Sequence, residues 1–376
     1  MTMTSAREDA IAGFLSDAGW GSAERHPLPG DASTRRYIRL HLGGRTAMLM
    51  DQPRHAESPA ASPDATPEQR RALGYNALAR LAGADCARFV AVAEYLRGQG
   101  LAAPEILAAD TVQGLLLLED LGFDLYTDVL SRNGDERAMY EAAIDALVRL
   151  HAAPAPHALA ADKPLFAYDE TAQLAEVDLL TEWFLPAAIG RPADAAEIEE
   201  HRTLWRTALA ALAGGPRVFV HRDYHAQNLI WRNARSGLAR VGVIDFQDAL
   251  AGSPAYDLIS LLEDARRDVA PQLAEAMTER YLGNARVLGA PLDPERFRAS
   301  AALLAAQRNA KIIGIFARLA KRDLKPRYLV HLPRVWGYMQ HDLEHSALRP
   351  LKSWYDATLP CAVRGVLRPD FAEASS

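Results

Sequence analysis

The stretch His221–Trp231, HRDYHAQNLIW, holds Asp223 and Asn228 five residues apart, and Val243–Asp248, VIDFQD, follows with a second aspartate, Asp245, at the end of an apolar run. Asp and Asn favour turns, so any one of the three alone would read as a turn residue. Here each motif leaves a short apolar segment, VFV (218–220) or VGVI (241–244), and the three residues keep a fixed order. One carboxylate is thereby free to orient a hydroxyl, while a carboxamide and a second carboxylate offer the hard oxygens that a magnesium ion prefers.

Phosphoryl transfer from ATP needs that combination and little covalent chemistry from the protein. HRDYHAQN resembles the H-R-D-x-x-x-x-N catalytic loop of kinases. The resemblance implies Asp223 as catalytic base, Asn228 as a Mg2+ ligand and Asp245 as the carboxylate joining metal to phosphates. His225, two residues after the base, gives the pattern D-x-H-x-x-N, which resembles the aminoglycoside and choline phosphotransferase superfamily more than the protein kinases. DFQDALAGSPAYDL (245–258) agrees, for it lacks the glycine of D-F-G and no A-P-E follows. That resemblance implies an anchoring role for Asp257 under the catalytic loop. For His225 it leaves open a substrate contact or a hydrogen bond within the loop.

Outward from these motifs, 376 residues suffice for two lobes, and 49% hydrophobic with 24% charged residues is ordinary for a globular protein. A net charge of −6 argues against a general nucleic-acid binder. No apolar run reaches the roughly 18 residues of a membrane span. The opening MTMTSAREDAIAGFLSDAGW mixes acids with apolar residues and predicts an amphipathic helix in place of a signal peptide, hence a cytoplasmic protein. Cys86 and Cys361 have no metal or disulfide spacing, so both are expected as buried inert thiols.

RYIRLHL (Arg36–Leu42) and GGRTAMLMD (43–51) predict a hairpin turning at Gly43-Gly44, with a loop, PLPGDAS (27–33), before it. Residues 54–86 read as an insertion: a Pro-, Ala- and Ser-rich loop, then a helix capped by Thr66, with Pro67 at its first position and Gln69 closing a capping box. FVAVAEYLRGQG (89–100) predicts a helix, and PEILAADTVQGLLLLEDLG (104–122) two strands. AMYEAAIDALVRLHAAPAP (138–156) predicts a helix stopped by prolines, and everything after residue 255 reads as helical. The expected class is α+β with a bilobal, protein-kinase-like fold: a β-rich nucleotide-binding lobe over 1–118 and a largely helical catalytic and substrate-binding lobe over 119–376, hinged near Glu119. The adenine is expected against Leu118–Leu121, with Glu119 and Leu121 as nucleotide contacts.

Protein kinases hold the phosphates with a lysine on the third strand. Here the first lysine in the chain is Lys163. Arginine must then do that work in the N-terminal part, and a guanidinium suits bidentate phosphate contact. Arg35 and Arg36, with Ser33 and Thr34 as extra donors, lie where a phosphate-covering loop would be.

LPGDASTRRYIRL, MLMDQP, LLLLEDLG, the two catalytic motifs and QRNAKIIGIFARLAKRD (307–323) together resemble the bacterial anomeric amino-sugar kinases of cell-wall recycling. The resemblance implies ATP-dependent phosphorylation of the C1 hydroxyl of N-acetylmuramate and N-acetylglucosamine, with no obligate protein partner. The insertion at 54–86 departs from the shorter form of that family. Arg308 and Lys311, three apart, share a helical face. They either meet the lactyl carboxylate of N-acetylmuramate or are solvated on an outer face. In LLTEWFLP (179–186), Trp183 either stacks on a sugar ring, with Glu182 bonding hydroxyls, or belongs to the core. The rival functions are a kinase for an aminoglycoside, choline or another small alcohol, a pseudokinase-like binding module, and a protein kinase.

Overall fold

The computed structural model describes residues 3–30, 34–53 and 59–367. Its strands are β1 (Glu24–Pro27), β2 (Arg36–Leu42), β3 (Arg45–Asp51), β4 (Ile106–Asp110), β5 (Leu115–Glu119), β6 (Val218–Val220), β7 (Leu229–Trp231), β8 (Val241–Val243) and β9 (Leu250–Gly252). The helices in the first part of the chain are α1 (Met3–Asp17), α2 (Pro67–Leu73), α3 (Tyr75–Leu78), α4 (Cys86–Gly98), α5 (Tyr126–Ser131) and α6 (Glu136–His151). Then come α7 (Glu170–Leu179), α8 (Leu185–Ile189), α9 (Ala195–Leu209), α10 (Ala255–Leu262), α11 (Pro271–Val287), α12 (Pro294–Lys321), α13 (Leu332–Asp342) and α14 (Arg349–Thr358). By packing, the chain forms two compact units, one of Met1–Asp135, His157–Leu165 and Gln227–Ala249, the other of Glu136–Pro156, Phe166–Ala226 and Leu250–Ser376.

In the first unit, β1–β5 form one antiparallel sheet in the order β1-β2-β3-β5-β4. Gly43 (φ 55°) and Gly44 (φ 82°) make the expected turn, both in the left-handed region that a two-residue hairpin loop requires. Ile11, Leu15 and Trp20 pack with Leu40, Leu49, Leu115 and Leu117 in one apolar cluster, so α1 covers one face of the sheet. Leu116 and Leu118 are buried as well, which is why β5 reads as an unbroken leucine run without alternation. The expected capping box is present: Gln69 N donates to Thr66 Oγ1 (3.3 Å) and Thr66 N donates to Gln69 Oε1 (2.8 Å).

The helix expected over 89–100 starts three residues earlier, because Asp85 caps α4 by accepting from Ala87 N and Arg88 N. Arg88, buried, donates through Nε to Gln247 O (3.1 Å) and through Nη2 to Ala249 O (2.7 Å), and the Phe89 and Phe246 rings lie 4.8 Å apart. These contacts fix the segment after β8, and Asp245 with it. Lys163, placed in the second lobe from its position in the chain, packs with this first unit, its Nζ 3.5 Å from Asp85 Oδ2.

The second unit is helical around α12. Val177, Phe184, Trp205, Ile313, Phe316, Trp336 and Tyr355 belong to its core. A β-carbon at Gly314 would lie 2.3 Å from the carbonyl carbon of Leu179, so α12 approaches the end of α7 at backbone distance. There the helix widens into a π turn, Leu180–Phe184. The apolar segments VFV and VGVI leading into the two motifs supply strands, β6 pairing with β9 and β8 with β7. Both partners are three residues long, too short for periodicity to register. Cys86 is buried as expected, whereas Cys361 is exposed at a short 3-10 turn, which corrects that half of the expectation. Among the described residues no helix is long and apolar enough to cross a membrane.

Two stability predictions come from this packing. Gly314→Ala must displace backbone and should destabilise the protein by about 2 kcal/mol or more, read as a lowered thermal midpoint. The second concerns Asp342, which shares Asn309 with Glu263: Asn309 Nδ2 donates to Asp342 Oδ2 (3.0 Å) and to Glu263 Oε2 (2.8 Å). Burial, then the neighbouring Glu263 carboxyl, push the Asp342 carboxyl well above its ordinary range. A carboxyl raised on folding contributes stability that is complete at low pH and is lost as pH rises through the folded value. Asp342→Asn, which keeps a neutral amide there, should therefore gain in thermal midpoint over the parent as pH is raised above the ordinary carboxylate range. A midpoint difference that does not vary with pH would show that Asp342 is ionised throughout.

Candidate active site

β6 ends at Val220, and the chain turns through His221 and Arg222 before presenting Asp223. Arg222 has φ 81°, a left-handed conformation that costs a non-glycine residue on the order of 1 kcal/mol. Asp257, buried in the first turn of α10, holds the chain there. Its Oδ2 accepts from His221 N (2.7 Å), its Oδ1 accepts from Arg222 N (2.8 Å), and His151 Nε2 lies 3.4 Å away. The anchoring role implied for Asp257 is thus met by geometry. Tyr224 Oη donates to Ala143 O (2.8 Å), Asp223 N to His221 Nδ1 (3.2 Å) and His225 N to Asp223 O (3.1 Å).

The surroundings of Asp223 are strongly cationic. Burial would raise its carboxyl, but Lys311, then His225, Arg222 and Arg308 outweigh burial and hold it well below the usual carboxylate range. It is ionised at neutral pH. Of the two alternatives for Arg308 and Lys311, the solvated outer face is excluded: the residues are 4% and 8% exposed. Arg308 Nη1 donates to Glu263 O (3.1 Å), and Lys311 Nζ lies 3.2 Å from Glu176 Oε1 and 3.4 Å from Tyr256 Oη. His225 is buried, and burial pushes its imidazole below its ordinary value despite the opposing pull of Asp264 and Asp223.

Glu176 was missed in the sequence. It is fully buried and pairs with both Arg222 and Lys311. Burial would raise its carboxyl, but Lys311, then Arg222, bring it down to about 2. A glutamate in QLAEVDLL looks like a solvated helical charge. A signal was nevertheless present, since Ala172, Ala175, Glu176 and Leu179 have the spacing of a buried helical stripe.

In the first unit, Leu229 pairs with Val243, and Ile244 N donates to Asn228 O (3.1 Å), so Asn228 and Ile244-Asp245 adjoin at the same end of the β7–β8 ribbon. Asp245 has φ 61°, and its side chain is 43% exposed. Its Oδ1 accepts from Arg35 Nη1 (3.1 Å) and from Gln247 Nε2 (3.2 Å). An amide and a partly exposed carboxylate, both oxygen donors, suit magnesium, which keeps several waters and shares phosphate oxygens. Among the described residues there is no group of three or more His, Cys, Asp or Glu side chains placed to hold a metal unaided.

Arg35 and Arg36 part company. Arg35 pairs with Asp245, whereas Arg36 pairs with the buried Asp51, which Arg7 Nε also reaches (3.0 Å). Thr34 Oγ1 accepts from Gln52 Nε2 (3.4 Å), and Ser33 lies outside the described residues. Glu119 pairs with Arg232 (3.4 Å) and Arg97 (3.5 Å), while Leu121 is buried against the position of Gly242. Glu182 is exposed in the π turn, and Trp183, partly buried, packs against the helical core.

Residues 24–299 match the phosphotransferase enzyme family. The chain is 47% identical over 367 residues to an N-acetylmuramate/N-acetylglucosamine kinase of Caulobacter vibrioides, covering 97% of this chain and 100% of that one. It is 36% identical over 328 residues to a protein of the same name from Pseudomonas aeruginosa, covering 86% of this chain and 85% of that one. The choline kinase LicA of Streptococcus pneumoniae superposes with a TM-score of 0.53 at 14% identity, covering 92% and 99% of the two chains. The gentamicin complex of APH(2'')-IIa superposes at 0.55 and 15%, covering 90% and 97%. These likenesses carry the expected α+β, protein-kinase-like fold, and the family match together with the two relatives settles the membership. The chain belongs to the phosphotransferase enzyme family.

Proposed function

We propose that this phosphotransferase moves the γ-phosphoryl group of ATP to the anomeric C1 hydroxyl of N-acetylmuramate and N-acetylglucosamine, in the cytoplasm and without an obligate protein partner. Near-full-length identity of 47% to a kinase of that name supports the substrate. The observation that carries the reading for this chain is the charge around Asp223. Lys311, Arg222 and Arg308 act on it as cations; Glu176 pairs with the first two, while Arg308 Nη1 is held by the backbone carbonyl of Glu263. Arg308, a cation acting on Asp223 whose hydrogen bond goes to a carbonyl, suits an acceptor bearing a carboxylate, such as the lactyl group of N-acetylmuramate. It disfavours aminoglycosides and choline, which are themselves cations and would want carboxylates.

Asp223 aligns the acceptor hydroxyl and accepts its proton as the oxygen bonds to the γ-phosphorus and the bond from phosphorus to the ADP oxygen breaks. A carboxylate held so far below its usual range is a weak base. Its contribution is therefore mainly to orient the hydroxyl, with the proton passing onward once transfer is complete. Asn228 and Asp245 would hold the Mg2+ that accompanies ATP, which supplies charge neutralisation at the phosphates. Arg35, alongside Asp245, offsets phosphate charge in place of the absent strand lysine, with Thr34 and Ser33 as neighbouring donors and Arg36 in a lesser part. Residues 1–118 bind the nucleotide, with adenine against Leu118–Leu121, and 119–376 carry acceptor binding and catalysis. His225 serves the acceptor as a hydrogen-bonding group. Glu182 and Trp183 are weaker candidates for sugar contact.

Asp223→Asn should lower kcat by about 1,000-fold or more while leaving ATP affinity within a few-fold, measured by coupled assay and nucleotide titration. Near-parental turnover would remove Asp223 from this role. A panel of sugars with ATP, followed by phosphorus NMR, should give phosphate on C1; transfer to C6 would defeat the anomeric assignment. Arg308→Met should raise KM for N-acetylmuramate about tenfold or more, the size of a lost charge-assisted contact, and change KM for N-acetylglucosamine much less.

A further inference from the structure

Glu176 is a fully buried acid that pairs with Arg222 and Lys311, and phosphoryl transfer as described gives it no part. Its neighbours come from separate pieces of one unit: Arg222 from the catalytic loop, Lys311 and Gln307 from α12, and Tyr168 from just ahead of α7. Oε1 takes Arg222 and Lys311 Nζ (3.2 Å). Oε2 accepts from Tyr168 Oη and from Gln307 Nε2 (3.0 Å), and Tyr168 Oη lies 3.0 Å from Gln307 Oε1. Every lone-pair direction of the carboxylate is therefore occupied. A buried ion pair of this kind adds little to stability over a well-packed apolar replacement, so stability alone does not account for it.

Arg222, which Glu176 grips, is the residue directly before Asp223 in the turn that Asp257 anchors, and Lys311, the other cation it grips, acts on the Asp223 carboxyl as well. We propose that Glu176 is a positioning residue for phosphoryl transfer: by fixing Arg222 and Lys311 it holds the turn that presents Asp223 and so aims the catalytic carboxylate at the acceptor hydroxyl. The inference rests on Asp223 as the base. Without Glu176, Lys311 is left in a buried site with Arg222 repelling its charge, Tyr256 beside it and Asp223 as its remaining counter-ion. Burial then favours loss of the lysine proton as pH rises.

The experiment compares kcat, KM and the pH dependence of kcat for Glu176→Gln, Lys311→Met, the double variant and Asp223→Asn, each with a thermal melt. Glu176→Gln should keep the KM for ATP within about threefold and lower kcat by about 10- to 100-fold, the cost of misplacing a catalytic group by about an ångström. Its kcat should also fall on the alkaline side of a profile that is flat there in the parent, and the Gln change should cost much less in the Lys311→Met background. Parental kcat with an unaltered profile overturns the proposal, as does an equal loss in both backgrounds. If Glu176→Gln does not fold, Glu176→Asp keeps the charge on a shorter arm: a lowered kcat with a parental profile supports positioning, and a parental kcat overturns it. Asp223→Asn with near-full activity would defeat the base assignment itself. An inactive Asp223→Asn beside an unimpaired Glu176→Gln defeats only the role given to Glu176.

Discussion

A single carboxylate bonding two consecutive backbone amides makes the catalytic loop possible. Arg222 must adopt a left-handed backbone for the chain to reverse after β6, and the strain is balanced where Asp257 accepts from His221 N and Arg222 N together. Charge-assisted bonds of this kind are about twice as strong as neutral ones, and here they are made out of water. The conformation they enforce sends the Arg222 side chain inward to Glu176 and leaves Asp223 half-buried at the surface of the same unit. Backbone strain, a buried anchor and the direction of a catalytic side chain are one arrangement seen at three scales.

Charge is distributed around that arrangement in layers. Lys311, Arg222 and Arg308 act on Asp223, and two of these pair with Glu176, itself bonded to Tyr168 and Gln307. Arg308 has a different support, the backbone carbonyl of Glu263. Glu176, Arg222, Lys311 and Arg308 each have a partner of opposite sign or a carbonyl, as the cost of isolating an ion away from water requires. These cations explain how Asp223, half-buried, remains an anion.

Much of this was readable in the chain, for reasons particular to each feature. The capping box at Thr66–Gln69, the Gly43-Gly44 turn and the long helices declare themselves because their signals are local or repeat many times. The three catalytic positions declared themselves by order and spacing. Strands β7 and β9 did not, since three residues carry no period and their pairing is set by distant segments. Arg308 and Lys311 could be assigned a common face but not a destination, because periodicity says which residues share a side and is silent about what that side meets. Arg35 and Arg36 read as a pair, yet successive residues entering a strand diverge, and one reaches Asp245 while the other reaches Asp51. Glu176 was hidden by residue type: its position in the apolar stripe was visible, and its charge argued against burial.

The long helix α12 carries Gln307, Arg308, Asn309, Lys311 and Gly314 within little more than two turns, and each makes a different obligatory contact. A rigid rod so densely committed cannot slide or rotate to suit a new acceptor without disturbing several of them at once. Divergence toward other substrates in this lineage is therefore expected to proceed through compensating pairs, a change on α12 matched by one on α7 or in the residues after α10. Drift at single positions of that segment would be purged.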